Sequence, residues 1–228
     1  MSNQTNNQST MKENPRRKFL GQVIAGTAAG ITTLSMPFSS KAIPGSEDAD
    51  EWFSRAKGKH RIVYDAPEPH DGMPIIWSWV YYLTNNSTGT PDNDMTAMVV
   101  LRHNAIPLAM EDRLWEKYKF GEMFNIKDNT TGKPAVRNPY YTPREGDFPF
   151  SEIEGIKTLQ SRGAMFCVCN IALKVYSTMV AKSAGLDPEA VRQDWVSGIH
   201  KDIQIVPSGV WAIGRAQEHG FGYCYAGG

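Results

Sequence analysis

Gly163-Ala164-Met165-Phe166-Cys167-Val168-Cys169-Asn170-Ile171-Ala172-Leu173 is the stretch that decides the architecture. Nothing from Ala164 to Val168 is polar. A short run without alternation reads as a strand buried on both faces. Directly behind it, Asn170 to Ser183 reads as a helix ending near Gly185, the residue type that most readily takes a left-handed helix stop. A buried strand feeding straight into a helix is half of a parallel β-α-β unit.

The pattern extends in both directions. Downstream, Asp187 and Pro188 form an N-cap and first helical position for a helix to Ser197. Ile203 to Val206 reads as a strand, Pro207-Ser208-Gly209 as a turn, Val210 to His219 as a helix closed by Gly220, and Phe221 to Tyr225 as a last strand. Upstream, Arg61 to Tyr64 is a first strand, Pro74 to Asn85 a buried helix, Thr96 to Leu101 a second strand and Pro107 to Tyr118 an amphipathic helix. Glu152 to Arg162 is read as a further helix. Strands alternating with helices, with the strands apolar on both faces, predict a mostly parallel five-stranded sheet covered on both sides. One stretch breaks the rhythm. Residues 124–150 carry Pro134, Pro139, Pro143 and Pro149 and read as a long loop, and Tyr140, Tyr141, Phe148 and Phe150 argue that it packs against the domain.

The N-terminal segment has a different character. A polar Asn/Gln-rich stretch precedes Arg16-Arg17-Lys18-Phe19-Leu20, a weakly apolar run from Gly21 to Met36 follows, and Ser40-Lys41-Ala42 has the small-x-small form of a peptidase site. This order reads as a secretory signal over residues 1–42. The paired arginines resemble the twin-arginine export signal, from which Pro15 and Gly21 depart. The expected location is the periplasm, with the translocase as partner during export. An uncleaved anchor or a basic cytosolic tail are the other readings. The apolar run is short and polar for a span, so no stable membrane span is expected after cleavage. Residues 43–59 are read as a linker and 60–228 as the domain.

The whole chain has no formal net charge. Residues 1–42 hold Lys12, Arg16, Arg17, Lys18 and Lys41 against Glu13 alone, so the remainder carries −4. Such a domain has no electrostatic reason to bind nucleic acid or an anionic membrane.

In parallel sheets, ligands collect beyond the carboxyl ends of the strands. The first strand is followed there by Asp65, the second by Arg102-His103-Asn104, the third by Cys169-Asn170, and the fourth by Pro207-Ser208-Gly209. Cys169 is the sharpest candidate, because backbone N–H groups at a helix start favour thiolate over thiol. An inert buried cysteine is the alternative. Cys167, two residues earlier, falls on the same strand face by period and reads as core. His103 is placed to approach Cys169 if their strands are neighbours. Arg102, Asn104, Asn170 and Ser208 complete the candidate binding set. Three cysteines form no disulfide framework, and the scattered histidines lack zinc-ligand spacing, so no metal ligands are assigned; a copper, iron or haem site shared by His103 and Cys169 is the other reading. No cofactor is named by any motif.

Two segments carry a family resemblance. Gly163 to Leu173, with its strand, cysteine and Ala-Leu pair, resembles the cysteine segment of the DsrE/DsrF-like family. Ile205-Val206-Pro207-Ser208-Gly209-Val210, followed by Ala216-Gln217-Glu218-His219-Gly220-Phe221-Gly222-Tyr223, is similar to that family's C-terminal signature. The resemblance covers about residues 61–225, interrupted by the loop at 124–150. It implies a flavodoxin-like α/β fold, assembly into homo-oligomers (trimers or hexamers), and a persulfide-carrying role for the cysteine at position 169. The expectation is therefore an exported protein that handles sulfur or thiol redox chemistry through Cys169 with His103. The competing expectation is a non-catalytic oligomeric module that binds a small ligand, metal or cofactor.

Overall fold

Five strands lie side by side in the order β4-β3-β2-β1-β5, and every neighbouring pair runs parallel. They are β1 (His60–Ala66), β2 (Met95–Leu101), β3 (Met165–Cys169), β4 (Ile203–Val206) and β5 (Gly222–Tyr225). The structure is a computed structural model and describes residues 47–227. The expected signal at residues 1–42 lies outside the described residues. No helix among the described residues is long and apolar enough to cross a membrane.

The helices are α1 (Glu47–Trp52), α2 (Met73–Ser87), α3 (Asp112–Tyr118), α4 (Phe120–Met123), α5 (Ile156–Arg162), α6 (Asn170–Ala184), α7 (Pro188–Ser197) and α8 (Gly209–Glu218). Their distribution follows from the strand order. From β1 to β4 each step goes the same way across the sheet, and right-handed connections then put the intervening helices on one face. The step from β4 to β5 returns in the opposite direction and puts α8 on the other face. The side chains separate accordingly. Tyr64, Ala97, Val99, Leu101, Phe166 and Val168 pack with residues of α2, α3, α5, α6 and α7. Val63, Met98, Val100, Met165 and Cys167 pack with α8 and with Ala49, Trp52 and Phe53. This is the expected flavodoxin-like α/β layering, with a wholly parallel sheet and helices on both faces.

Several boundaries differ from the sequence reading, for identifiable reasons. The stretch 43–59, read as linker, is more than a spacer. Its described part contains α1, and Trp52 and Phe53 are buried against the α8 layer. The helix expected from Pro107 is instead a 3-10 helix, His103–Ala109, followed by α3 from Asp112. Glu111 between them is extended, which interrupts the helical ladder. The helix expected from Glu152 begins at Ile156, after an extended Gly155. Strand β5 is an edge strand with Tyr223 and Tyr225 exposed, so it is not apolar on both faces.

The long loop is built into the domain. Tyr140 and Phe148 are buried and lie over Gly72, where a side chain would collide with both rings. Buried Asn138 donates through Nδ2 to the carbonyls of Leu108 and Met110 and accepts at Oδ1 from the N–H groups of Tyr140 and Tyr141. Arg137 grips the fully buried carboxylate of Asp147 at 2.6 and 2.8 Å. Phe150, expected to pack, is 66% exposed.

Candidate functional site

The loop after β3 turns to one face of the sheet and the loop after β4 to the other. A crevice opens at the carboxyl edge wherever adjacent strands diverge in this way, and in open α/β sheets such crevices hold ligands. Cys169 and Asn170 stand on one side of this divergence and Ser208 and Gly209 on the other, with Cys169 paired to Val206 in the sheet register.

Cys169 is both the last residue of β3 and the N-cap of α6. Its backbone is extended, and its Sγ accepts the N–H of Ala172 at 3.4 Å. That N–H is one of the orphan donors of a helix start, where the helix also carries partial positive charge. The geometry directs a stabilising donor at the sulfur. The residue is only 6% exposed and packs among apolar side chains.

Cys167 departs from the expected shared face. It packs with the α1 and α8 layer, whereas Cys169 packs with the opposite layer. The capping conformation at Cys169 ends the strand's alternation. Burial, with Cys169 adding to it, pushes the Cys167 thiol well up, so this sulfur stays protonated. All three cysteines, Cys167, Cys169 and Cys224, are free thiols.

The residues after β2 diverge in their roles. Arg102 turns its guanidinium onto buried Asp65, through Nε to Oδ1 at 2.6 Å and Nη2 to Oδ2 at 3.0 Å. The hydroxyl of Tyr223 also donates to Asp65, at 3.0 Å. The hydrogen bonds and charge of Asp65 raise the affinity of Arg102 for its proton despite partial burial. Gly209 lies against the Arg102 stem so closely that an added Cβ would come within 2.6 Å of it. The start of α8 is thus locked to the end of β2. Asn104 donates to the Glu68 carboxylate and accepts from the Tyr176 hydroxyl at 2.6 Å.

Asn170 is buried and accepts from Arg192 at 2.7 Å. Ser208 caps α8, its hydroxyl accepting from the N–H of Trp211 at 3.2 Å. His103 is exposed and sits at positive φ, and its side chain makes no hydrogen bond, ion pair or ring contact among the described residues. The expected partnership of His103 with Cys169 therefore has no hydrogen bond behind it. The six candidate residues lie along the carboxyl edge, and five of them are held by internal hydrogen bonds. Tyr176 of α6 and Arg192 of α7 hold two of these, and Tyr223 of β5 holds Asp65, the partner of Arg102; sequence spacing carried no signal for them.

No group of three or more His, Cys, Asp or Glu side chains suited to a metal ion is present among the described residues.

Fold and edge together define an α/β protein with a five-stranded parallel sheet, a capping cysteine at its carboxyl edge and a long inserted loop. No family model and no curated protein matches the chain. Among solved structures it is similar to a protein of unknown function from Methanobacterium thermoautotrophicum. That likeness has 15% identity and a TM-score of 0.39, and it covers 73% of this chain and 98% of the other.

Proposed function

We propose that this is an exported, DsrE-like, homo-oligomeric protein that handles sulfur or thiol chemistry through Cys169. One observation carries the reading: the Ala172 N–H donates to the Cys169 sulfur at the start of α6, beside the β3–β4 divergence. An amide pointed at sulfur stabilises negative charge there, and the thiolate is the nucleophile. The proposed reaction needs no outside electron source. The Cys169 thiolate attacks the terminal sulfur of a polysulfide ion, and the bond between that sulfur and the next one breaks. The products are a persulfide on Cys169 and a polysulfide one sulfur shorter. A sulfur with this little exposure suits a small sulfane donor better than a bulky thiol partner.

The test uses the full chain carrying Cys224→Ala, which removes the more accessible thiol. Iodoacetamide treatment and peptide mapping then report on Cys169 in the folded protein. Adding Ala172→Pro deletes the one N–H donated to the sulfur, in a first helical turn where proline is tolerated. Labelling of Cys169 is expected in the parent and slower in the proline variant, with denaturation midpoints checking that both are folded. Labelling only on unfolding, or equal rates in both chains, would overturn the reading.

A further inference from the structure

The inserted loop, α3 and the turn before β4 enclose a cleft of about 460 Å³, a size typical of small-molecule sites. It is separate from Cys169 in its residues and does not depend on the sulfur reading. We propose that this cleft binds a small aromatic monocarboxylate, with Arg144 holding the carboxylate.

The charge pattern argues for an anion. Three guanidinium groups line the cleft. Arg137 spends both terminal nitrogens on Asp147. Arg113 is occupied by Glu111, Asp194 and Ser197. The Arg144 side chain is exposed and has no ion pair or hydrogen bond among the described residues, although its backbone N–H is fixed to Asp147 at 2.6 Å. It is a free cation on an anchored backbone. A planar fork of this kind matches a carboxylate. Asp112 and Glu111 also line the cleft and oppose a second negative charge, which favours a monoanion over phosphate.

The walls argue for an aromatic body. The rings of Tyr141 and His200 lie parallel, with centroids 3.3 Å apart and 2° between planes. Burial lowers the proton affinity of His200 against the pull of Glu111 and Asp112, so the ring is neutral near pH 7 and adds apolar surface rather than charge. Its Nε2 is buried without a partner. Pro143 extends the same wall. Asn138 and Asp147 fix the loop backbone from below, so the site is formed before a ligand arrives and little ordering cost opposes binding.

The test is calorimetric titration of the full chain with 2-naphthoate, its neutral amide and inorganic phosphate. Saturable binding of one 2-naphthoate per chain is expected, with the amide at least about tenfold weaker and phosphate failing to compete. Arg144→Met is expected to weaken 2-naphthoate by about tenfold or more with an unchanged denaturation midpoint, because the side chain holds nothing in the fold. Tyr141→Leu is expected to weaken it too, and Cys169→Ser to leave it unchanged. Absence of saturable binding, equal affinity in Arg144→Met, or phosphate bound as well as 2-naphthoate would overturn the proposal.

Discussion

Arg102 and Asp65 meet through two hydrogen bonds, Nε to Oδ1 at 2.6 Å and Nη2 to Oδ2 at 3.0 Å, across the carboxyl ends of the neighbouring strands β2 and β1. The Asp65 side chain is nearly sealed from water and Arg102 is about one-fifth exposed. Tyr223 adds a third bond from β5, and Gly209 packs on the Arg102 stem. This one carboxylate therefore ties the edge of three strands to the start of α8.

Removing it strands a cation. Asp65→Ala is expected to lower stability by about 3 kcal/mol, the scale for breaking a mostly buried pair from one side. Urea denaturation of the variant checks this. An unchanged midpoint would mean that the pair is not an anchor of the edge.

Gly72 sets how the inserted loop docks. Its φ is +84°, the left-handed region, and a Cβ there would come within 2.6 Å of the Tyr140 ring. Gly72→Ala is expected to cost about 1–2 kcal/mol from the backbone alone, plus the clash. Hydrogen exchange would show faster amide exchange at residues 138–148, with the central strands protected. Uniform loss of protection, or none, would contradict this docking role.

Asp194 gives a pH signature. Burial raises its pKa, but hydrogen bonds from Lys117, Tyr118 and Arg113 outweigh it and bring the folded value to about 2. An unfolded aspartate titrates near 3.9. The folded state thus holds fewer protons at this group, and its stabilisation is present above about pH 4 and lost as pH falls toward 2. Denaturation midpoints followed from pH 5 to pH 2 should fall less steeply in Asp194→Asn than in the parent. Parallel curves would remove Asp194 from the acid response.

Much of the architecture was legible because strong local signals coincided with tertiary demands. Asp187-Pro188 fixed the start of α7, Gly185 ended α6, and the apolar run into Cys169 set β3 beside a helix start. What failed was local pattern without context. Residues 47–55 are too short and acidic to read as a core element, yet Trp52 and Phe53 seal one face of the sheet. Strand neighbourhood was legible as far as the pairing of Leu101 with Val168, while the His103 and Cys169 side chains share no hydrogen bond. Arg144 and His200 were invisible as partners, because the cleft joins an inserted loop to a turn far along the chain.

The central claim is that the sulfur of Cys169 accepts sulfane sulfur. The most direct measurement is mass spectrometry of the folded full chain after exposure to polysulfide, with peptide mapping and Cys169→Ser alongside. The expected result is one added sulfur on the peptide carrying Cys169, absent from the serine variant. An unmodified Cys169, or an adduct that survives the substitution, would contradict it.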